Sequence, residues 1–391
     1  MGDKRLDTML LSVTLNGLGH HAAAWQAVPA DENELDLSFY KKLAERAEQA
    51  GFDLLLIDDL PGFHDYDKEA LARIPSARIE AVSLVSALIP FTKRIGLAAA
   101  VAVANNEPYH VARKLASIDH LTNGRAAWSI AADYPEAIKR HFGIPIDIHD
   151  EEKTEQTKEF IDVVLKLWDS WEDDALIIDK ASGYYADPAK YHPLHHKGKH
   201  YVVKGALNTK RPPQGYPVLI HDAHSAVLSP FEAKEANILF TSQSELGEAQ
   251  RFYGELHAKR PVHTAKVLLN ITPYLGRTNS EAKAKKAKLD EAAFGYTGTL
   301  GGLSVRDAVP IFGSAAEIAD QLEQWFAHRG CDGFNLVPAV SSQDLQAFAE
   351  EVVPELRRRG LFLSGQADQT LRERLGVPVP DNQFAVSRTF A

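Results

Sequence analysis

The chain has 391 residues, enough for one large barrel or two average domains. Hydrophobic residues make up 45% and charged residues 25%, the balance of a folded protein with a sizeable core, and the formal net charge of -10 argues against nucleic acid or an anionic membrane as the main partner. The single cysteine, Cys331, excludes an internal disulfide framework and any cysteine-based metal site, and it suits a reducing compartment.

In chain order, the opening MGDKRLDTMLLSV carries acidic residues and too short an apolar run for a signal peptide, and no 18-residue apolar span follows. These features predict a cytoplasmic protein. Residues 9–15 read as a buried strand running into Asn16-Gly17-Leu18-Gly19-His20-His21. Gly17-Leu18-Gly19 lacks the third glycine and following helix of a phosphate-cradling turn, so it reads as an ordinary turn. Asp36 is placed to cap a helix with Phe39, Leu43, Ala44 and Ala47 on one stripe, ended by Gly51. A second strand spans residues 52–57 and stops at Asp58-Asp59; residues 60–77 read as loop, and a helix covers about 79–91.

Residues 94–133 give the clearest unit. A run of small apolar residues at 95–104 fits a strand buried on both faces. Pro108 then opens a helix with Val111, Leu115 and Ile118 at helical spacing, Asn123-Gly124 stops it, and residues 126–132 make a second buried strand. Right-handed crossover makes the two strands parallel neighbours. Beyond them, Phe160, Val163, Val164, Leu167 and Trp168 mark a strong helix, and residues 173–212 form an excursion with one short strand near 200–204. Strands follow at 217–221, 238–241, 266–273 and 333–338. Helices are expected from about Pro230, from 276–278 through Leu289, around Ile318–Phe326 and over 345–356, with an irregular bridge at 292–312.

Eight strand-like runs separated mostly by helices predict an α/β fold, a (β/α)8 TIM barrel occupying 1–391 as one domain, with the excursion at about 173–212 and a tail from about 360. In that fold the reactive side chains sit just after each strand. Those positions hold His20 and His21, Asp58 and Asp59, Asn105, Asn106 and Glu107, Asp133, and then His221, Asp222, His224 and Ser225. Each alone is most simply a solvated loop residue, whereas the set together points to a functional site. His192, His195, His196 and His200 have metal-like spacing but lie in the excursion, where packing accounts for them; no nucleophile elbow GxSxG and no HExxH is present.

The segment NEPYHVARKLASIDHLTNGRAAW resembles the stretch that marks the bacterial-luciferase-like flavin monooxygenases, in the branch of nitrilotriacetate, alkanesulfonate and dibenzothiophene-sulfone monooxygenases. The excursion WDSWEDDALIIDKASGYYADPAKYHPLHHKGKHYVVKGALN and the closing GFNLVPAV and VVPELRRRGLF resemble the same family, so the likeness spans nearly the whole chain. It implies a luciferase-like barrel in which reduced FMN, supplied by a partner reductase, reacts with O2 to oxidise a small organic substrate. It also implies a homo-oligomer. On its pattern His21, Asp59 and His20 are the expected catalytic residues, and Asn106, Ser129, Asp133 and Ser225 the expected cofactor contacts, Ser225 as the phosphate-binding serine.

Departures from the pattern are as informative. Val103 and Ala104 replace threonines, Trp128-Ser129-Ile130-Ala131-Ala132-Asp133 replaces Trp-Asn-x-x-Thr-Ser, and Thr154 stands for a tyrosine. Leu228 and Ser229 stand for a glycine and an arginine, and the bridge at 292–312 is far shorter than the family's helical insertion. Two further readings therefore stand beside the flavin one. In the first, His21, Asp59, Asp133, His221, Asp222 and His224 bind a divalent metal that activates oxygen or water. In the second, the chain is a non-catalytic subunit of a luciferase-like heterodimer.

Overall fold

The computed structural model describes residues 8–59, 72, 75–132, 142–143, 149–225, 227, 229–230, 233–259, 265–293, 305–363 and 369–385. Asp133 and Leu228, both singled out above, lie outside these residues.

Eight parallel strands close a barrel. They are β1 (Leu10–Leu15), β2 (Leu54–Ile57), β3 (Gly96–Ala102), β4 (Ala126–Ala131), β9 (Val218–Asp222), β10 (Ile238–Thr241), β11 (Lys266–Leu275) and β13 (Gly333–Leu336), numbered to leave room for the strands outside the ring. Neighbours pair in that order, and β13 closes the ring on β1 with Ser12 opposite Asn335. The intervening β5 (Leu176–Asp179) with β6 (Tyr184–Ala186), and β7 (His196–Lys197) with β8 (Val202–Val203), are two small antiparallel hairpins in the excursion.

The helices form where the sequence caps them. In α1 (Leu37–Ala50) Asp36 accepts the Ser38 N–H and Gly51 closes the helix at φ 87°. Helix α2 (Ala81–Leu88) starts at Glu80, which accepts the N–H groups of Val82 and Ser83. Helix α3 (Pro108–Thr122) begins with Pro108 and stops at Asn123, left-handed at φ 53°. Helix α4 (Asp150–Trp168) follows, then α5 (Leu246–Lys259), α6 (Asn279–Ala292) behind the Thr278 cap, and α7 (Ala315–Ala327) behind a Ser314–Glu317 capping box. Helices α8 (Ser341–Ala347) and α9 (Val353–Arg358) are joined by a π turn, Phe348–Val352. Pro354, which has no N–H to donate, accounts for the widened turn before it.

Three expectations change. The excursion, expected to hold one short strand near 200–204, carries the two hairpins β5–β6 and β7–β8. The helix placed from about Pro230 is absent from the described residues there, which make turns with the Ala233 N–H donating to Ser229 C=O and the Ala236 N–H to Ala233 C=O. The bridge at 292–312 holds a ninth sheet strand, β12 (Val309–Gly313), parallel to the upper half of β11. Pro310 hid it, because a proline argues against a central strand; β12 pairs on one side only, where proline is tolerated.

Side-chain parity along the strands locates the site. Leu10, Leu54, Leu56, Ala98, Ala127, Val218, Ile220, Ile238, Phe240 and Leu268 fill the barrel, whereas Leu11, Leu55, Ile57, Leu97, Trp128 and Leu219 face the helices. One polar ladder crosses the interior: Ser12 and Thr14 meet Asn335 Oδ1 at 2.7 and 3.1 Å, Asn335 Nδ2 donates to Asn270 Oδ1 at 2.9 Å, and Asn270 Nδ2 donates to Ser242 at 3.2 Å. The tail is no loose end. Helix α10 (Leu371–Leu375), with its own Thr370–Glu373 capping box, inserts Leu371, Leu375 and then Val377 into the N-terminal end of the barrel.

Candidate active site

Successive residues of a strand point to opposite faces, so the inward column of β1, Leu10–Ser12–Thr14, continues to Asn16, and that of β2, Leu54–Leu56, continues to Asp58. The ladder itself extends this far, since the Asp58 N–H still donates to Leu15 C=O at 3.0 Å. Asp59 therefore turns outward. Its Oδ2 accepts the Ala81 N–H at 3.1 Å at the start of α2, and burial, followed by the repulsion of Glu80 and Asp58, pushes its carboxyl up to about 6. That is a capping position behind the rim rather than a place in the mouth. By the same parity His221, which is buried, faces the helices while Asp222 faces in.

The two histidines after β1 differ. His20 is buried, its backbone N–H donates to Pro338 C=O at 3.0 Å, and its Nδ1 lies 3.1 Å from the same oxygen. A carbonyl only accepts, so the proton is on Nδ1 and Nε2 carries a lone pair. That Nε2 is buried with no hydrogen-bond partner among the described residues. Burial lowers the pKa to about 3, the Pro338 bond working against it and Arg78 with it, so the ring stays neutral. His21, in contrast, is committed at both nitrogens: Nδ1 accepts the Ala23 N–H at 3.2 Å and Nε2 donates to Asp290 of α6 at 3.2 Å. It braces the β1 loop against α6.

The other expected positions are largely engaged in their own turns. Asn106 donates to Ala102 C=O at 2.8 Å and to Asn105 Oδ1 at 3.0 Å, leaving its own Oδ1 to accept. Asp222 accepts the His224 N–H at 2.8 Å, and His224 Nε2 accepts the Ser242 N–H at 3.1 Å, tying the ends of β9 and β10 together. Ser225 accepts the Val227 N–H at 3.4 Å. Ser129 faces in from β4, between Ala127 and Ala131. Among the described residues no three His, Cys, Asp or Glu side chains converge as metal ligands, so the divalent-metal alternative has no centre there. The excursion histidines are structural: His196 meets Glu159 at 3.0 Å and His192 meets Glu172 at 2.8 Å.

Sequence reading missed Asn16, Arg78 and Glu34. Arg78 is half-buried and donates to Asn16 Oδ1, with Asp58, Glu34, Tyr40 and Asp59 close enough to act on its charge. Glu34 accepts the Leu18 N–H at 3.4 Å, and burial raises its pKa. Asn16 Nδ2 is left buried without a partner among the described residues. The signal for Asn16 was available, as a polar residue two places after inward Thr14.

A surface cavity of about 560 Å³ lies at the opposite end of the barrel, lined by Thr92, Lys93, Asn123, Arg125 and Gln369 among others. Arg125 there donates to Thr122, Thr92 and Ile95 carbonyls and to the Thr92 hydroxyl, so it is a structural clamp. No helix among the described residues is long and apolar enough to cross a membrane.

A closed parallel barrel with histidine, amide and carboxylate side chains collected at the C-terminal strand ends has the layout of a barrel enzyme. The chain belongs to the Luciferase-like monooxygenase family, which it matches over residues 17–325. It is 31% identical over 436 residues to N-acetyl-S-(2-succino)cysteine monooxygenase of Bacillus subtilis (strain 168), covering 96% of this chain and 98% of that one. It is 32% identical over 434 residues to nitrilotriacetate monooxygenase component A of Aminobacter aminovorans, covering 94% and 96%. The solved structure of a riboflavin lyase with modified FMN and riboflavin superposes with a TM-score of 0.83 at 25% identity, over 96% of this chain and 97% of that one. The protein is thus an enzyme of the monooxygenase class, and the expected family and barrel hold.

Proposed function

We propose that the enzyme uses reduced FMN, delivered by a separate reductase, and O2 to oxygenate a small organic molecule. The observation that carries this reading is the asymmetry of the mouth. The β3 and β4 side presents only small groups inward, Ala98, Ala100, Ala102, Ala127, Ser129 and Ala131, a flat wall on which a planar tricyclic ring can lie. The β1 side presents two buried polar atoms with unspent hydrogen-bonding capacity, His20 Nε2 and Asn16 Nδ2. The residues fit the flavin: Ser129 and the Oδ1 of Asn106 would meet the ring edge, and the Ser225 hydroxyl would donate to the phosphate. Bound there, the flavin supplies the activation of oxygen.

What the chain's own residues do follows from their geometry. His20, neutral with its donor spent on Pro338, can only accept, so Nε2 takes a hydrogen bond from a reacting group facing β1. Arg78 fixes the Asn16 amide, while His21 and Asp59 hold the loop and helix that frame the pair. The name of the Aminobacter relative, a component A, supports a second protein as the source of reduced flavin. Titration of the purified chain with FMN under reducing, anaerobic conditions tests the cofactor: saturable binding with a perturbed flavin spectrum is expected, and its absence removes the proposal.

A further inference from the structure

Asn16 is 2% exposed, and its two amide atoms differ sharply in their surroundings. Oδ1 is held by Arg78, which fixes the orientation of the amide, and Nδ2 is buried without a partner among the described residues. A buried N–H left unsatisfied is costly, so its retention at the top of an inward column points to a ligand that supplies the missing acceptor.

The charge around that position restricts what the acceptor can be. Among the described residues Arg78 is the cation nearest the amide, and Glu34, Asp58 and Asp59 all act on it, three carboxylates on one guanidinium. His20, the other uncommitted group at this end of β1, is neutral. An incoming carboxylate would meet a surplus of negative charge at low dielectric, whereas a neutral oxygen would meet a free donor without that repulsion.

We infer that Asn16 determines substrate specificity: Nδ2 donates to an uncharged oxygen of the substrate, of the carbonyl or amide kind, and the carboxylates around Arg78 turn away a substrate presenting a carboxylate there. This rests on the mouth being the substrate site of the proposed oxygenase. It separates this enzyme from the two relatives above, whose names denote carboxylate-bearing substrates.

Fluorine NMR titration of the full chain with 4-fluorobenzamide and with 4-fluorobenzoate tests it, run with and without FMN. The amide should bind at least about tenfold more tightly than the benzoate, and Asn16→Leu should lose about tenfold for the amide and little for the benzoate. Circular dichroism checks the fold, and Asn16→Asp, which removes the same donor at equal size, replaces the leucine variant if that does not fold. Equal or tighter benzoate binding, no binding of either probe, or an unchanged preference in the variant overturns the inference. Amide preference in a protein that does not take up FMN would sink the flavin proposal and leave this one standing; FMN uptake without amide preference would do the reverse.

Discussion

The two ends of the barrel handle polar groups in opposite ways. At the N-terminal end nearly every buried polar atom is spent. Arg372 donates to the carbonyls of Tyr216, Pro217 and Pro378 and to Asn237, Asp119 takes the Gln214 side chain and the Ala126 N–H, and Leu371, Leu375 and Val377 fill the hole between them. Arg374 is the departure there, with two nitrogens lacking hydrogen bonds among the described residues, though Asp53 acts on its charge. At the C-terminal end the inward side chains of β3 and β4 are small, and His20 Nε2 and Asn16 Nδ2 are left without partners among the described residues. One end is completed by the chain itself; the other, on the proposed reading, is completed by what the enzyme binds.

The sharpest way to break this contrast is to damage each end and see what is lost. Leu371→Ala removes buried methyl groups from the plug and should cost about 3 kcal/mol in denaturant unfolding, while FMN affinity stays near that of the parent. A loss below about 1 kcal/mol would mean that the plug is not part of the core. His20→Ala should do the opposite. Product formation in an assay supplied with FMN and a reductase should drop about a hundredfold, with the unfolding midpoint little changed. Loss of stability matching the Leu371 variant, with turnover intact, would make His20 a packing residue.

Asp59→Asn probes the boundary between framework and site. As a helix cap behind the rim, Asp59 should contribute about 1 kcal/mol to stability and its replacement should cost far less turnover than that of His20. A hundredfold loss from Asp59→Asn would return that carboxylate to the mouth.

The smallest effect is a pH dependence. The His20 pKa lies near 3 in the folded chain against 6.5 for an ordinary histidine, so the unfolded chain binds the extra proton between those values. Stability therefore falls as pH drops through that window. Because Asp53, Asp59 and Asp344, each raised to about 6, change stability in the opposite sense, the informative quantity is parent against His20→Gln. Relative to the variant the parent should lose less than about 1 kcal/mol between pH 7 and pH 6, and progressively more below. A difference that does not vary with pH would show that the ring is not held neutral by burial.

Most of the framework was legible because local chemistry and fold agree: Asp36 and Gly51 bound α1, Pro108 and Asn123 bound α3, and the apolar runs became staves. The mouth was harder. In strands buried on both faces there is no alternation of polar and apolar residues, so Asp58 and Asp59, or His221 and Asp222, look equivalent until closure assigns one of each pair inward. Polar residues inside apolar runs, Asn270 and Asn335, were the usable clue to the inner face, and the Thr370-x-x-Glu373 box was the clue that the tail contained a helix. Arg78 reaches Asn16 across 62 positions of sequence, a contact that no local pattern encodes.

The plug also bears on how the protein is made. Leu371 comes 35 positions after Leu336, the last residue of the final stave, so on the ribosome all eight staves are complete before their stopper exists. A helix of only five residues cannot hold itself together in water, and it must wait for a preformed socket. Newly synthesised chains should accordingly pass through a stage with a wet, unsealed base, exposing Leu10, Leu54 and Ile238 to chaperones until the tail arrives.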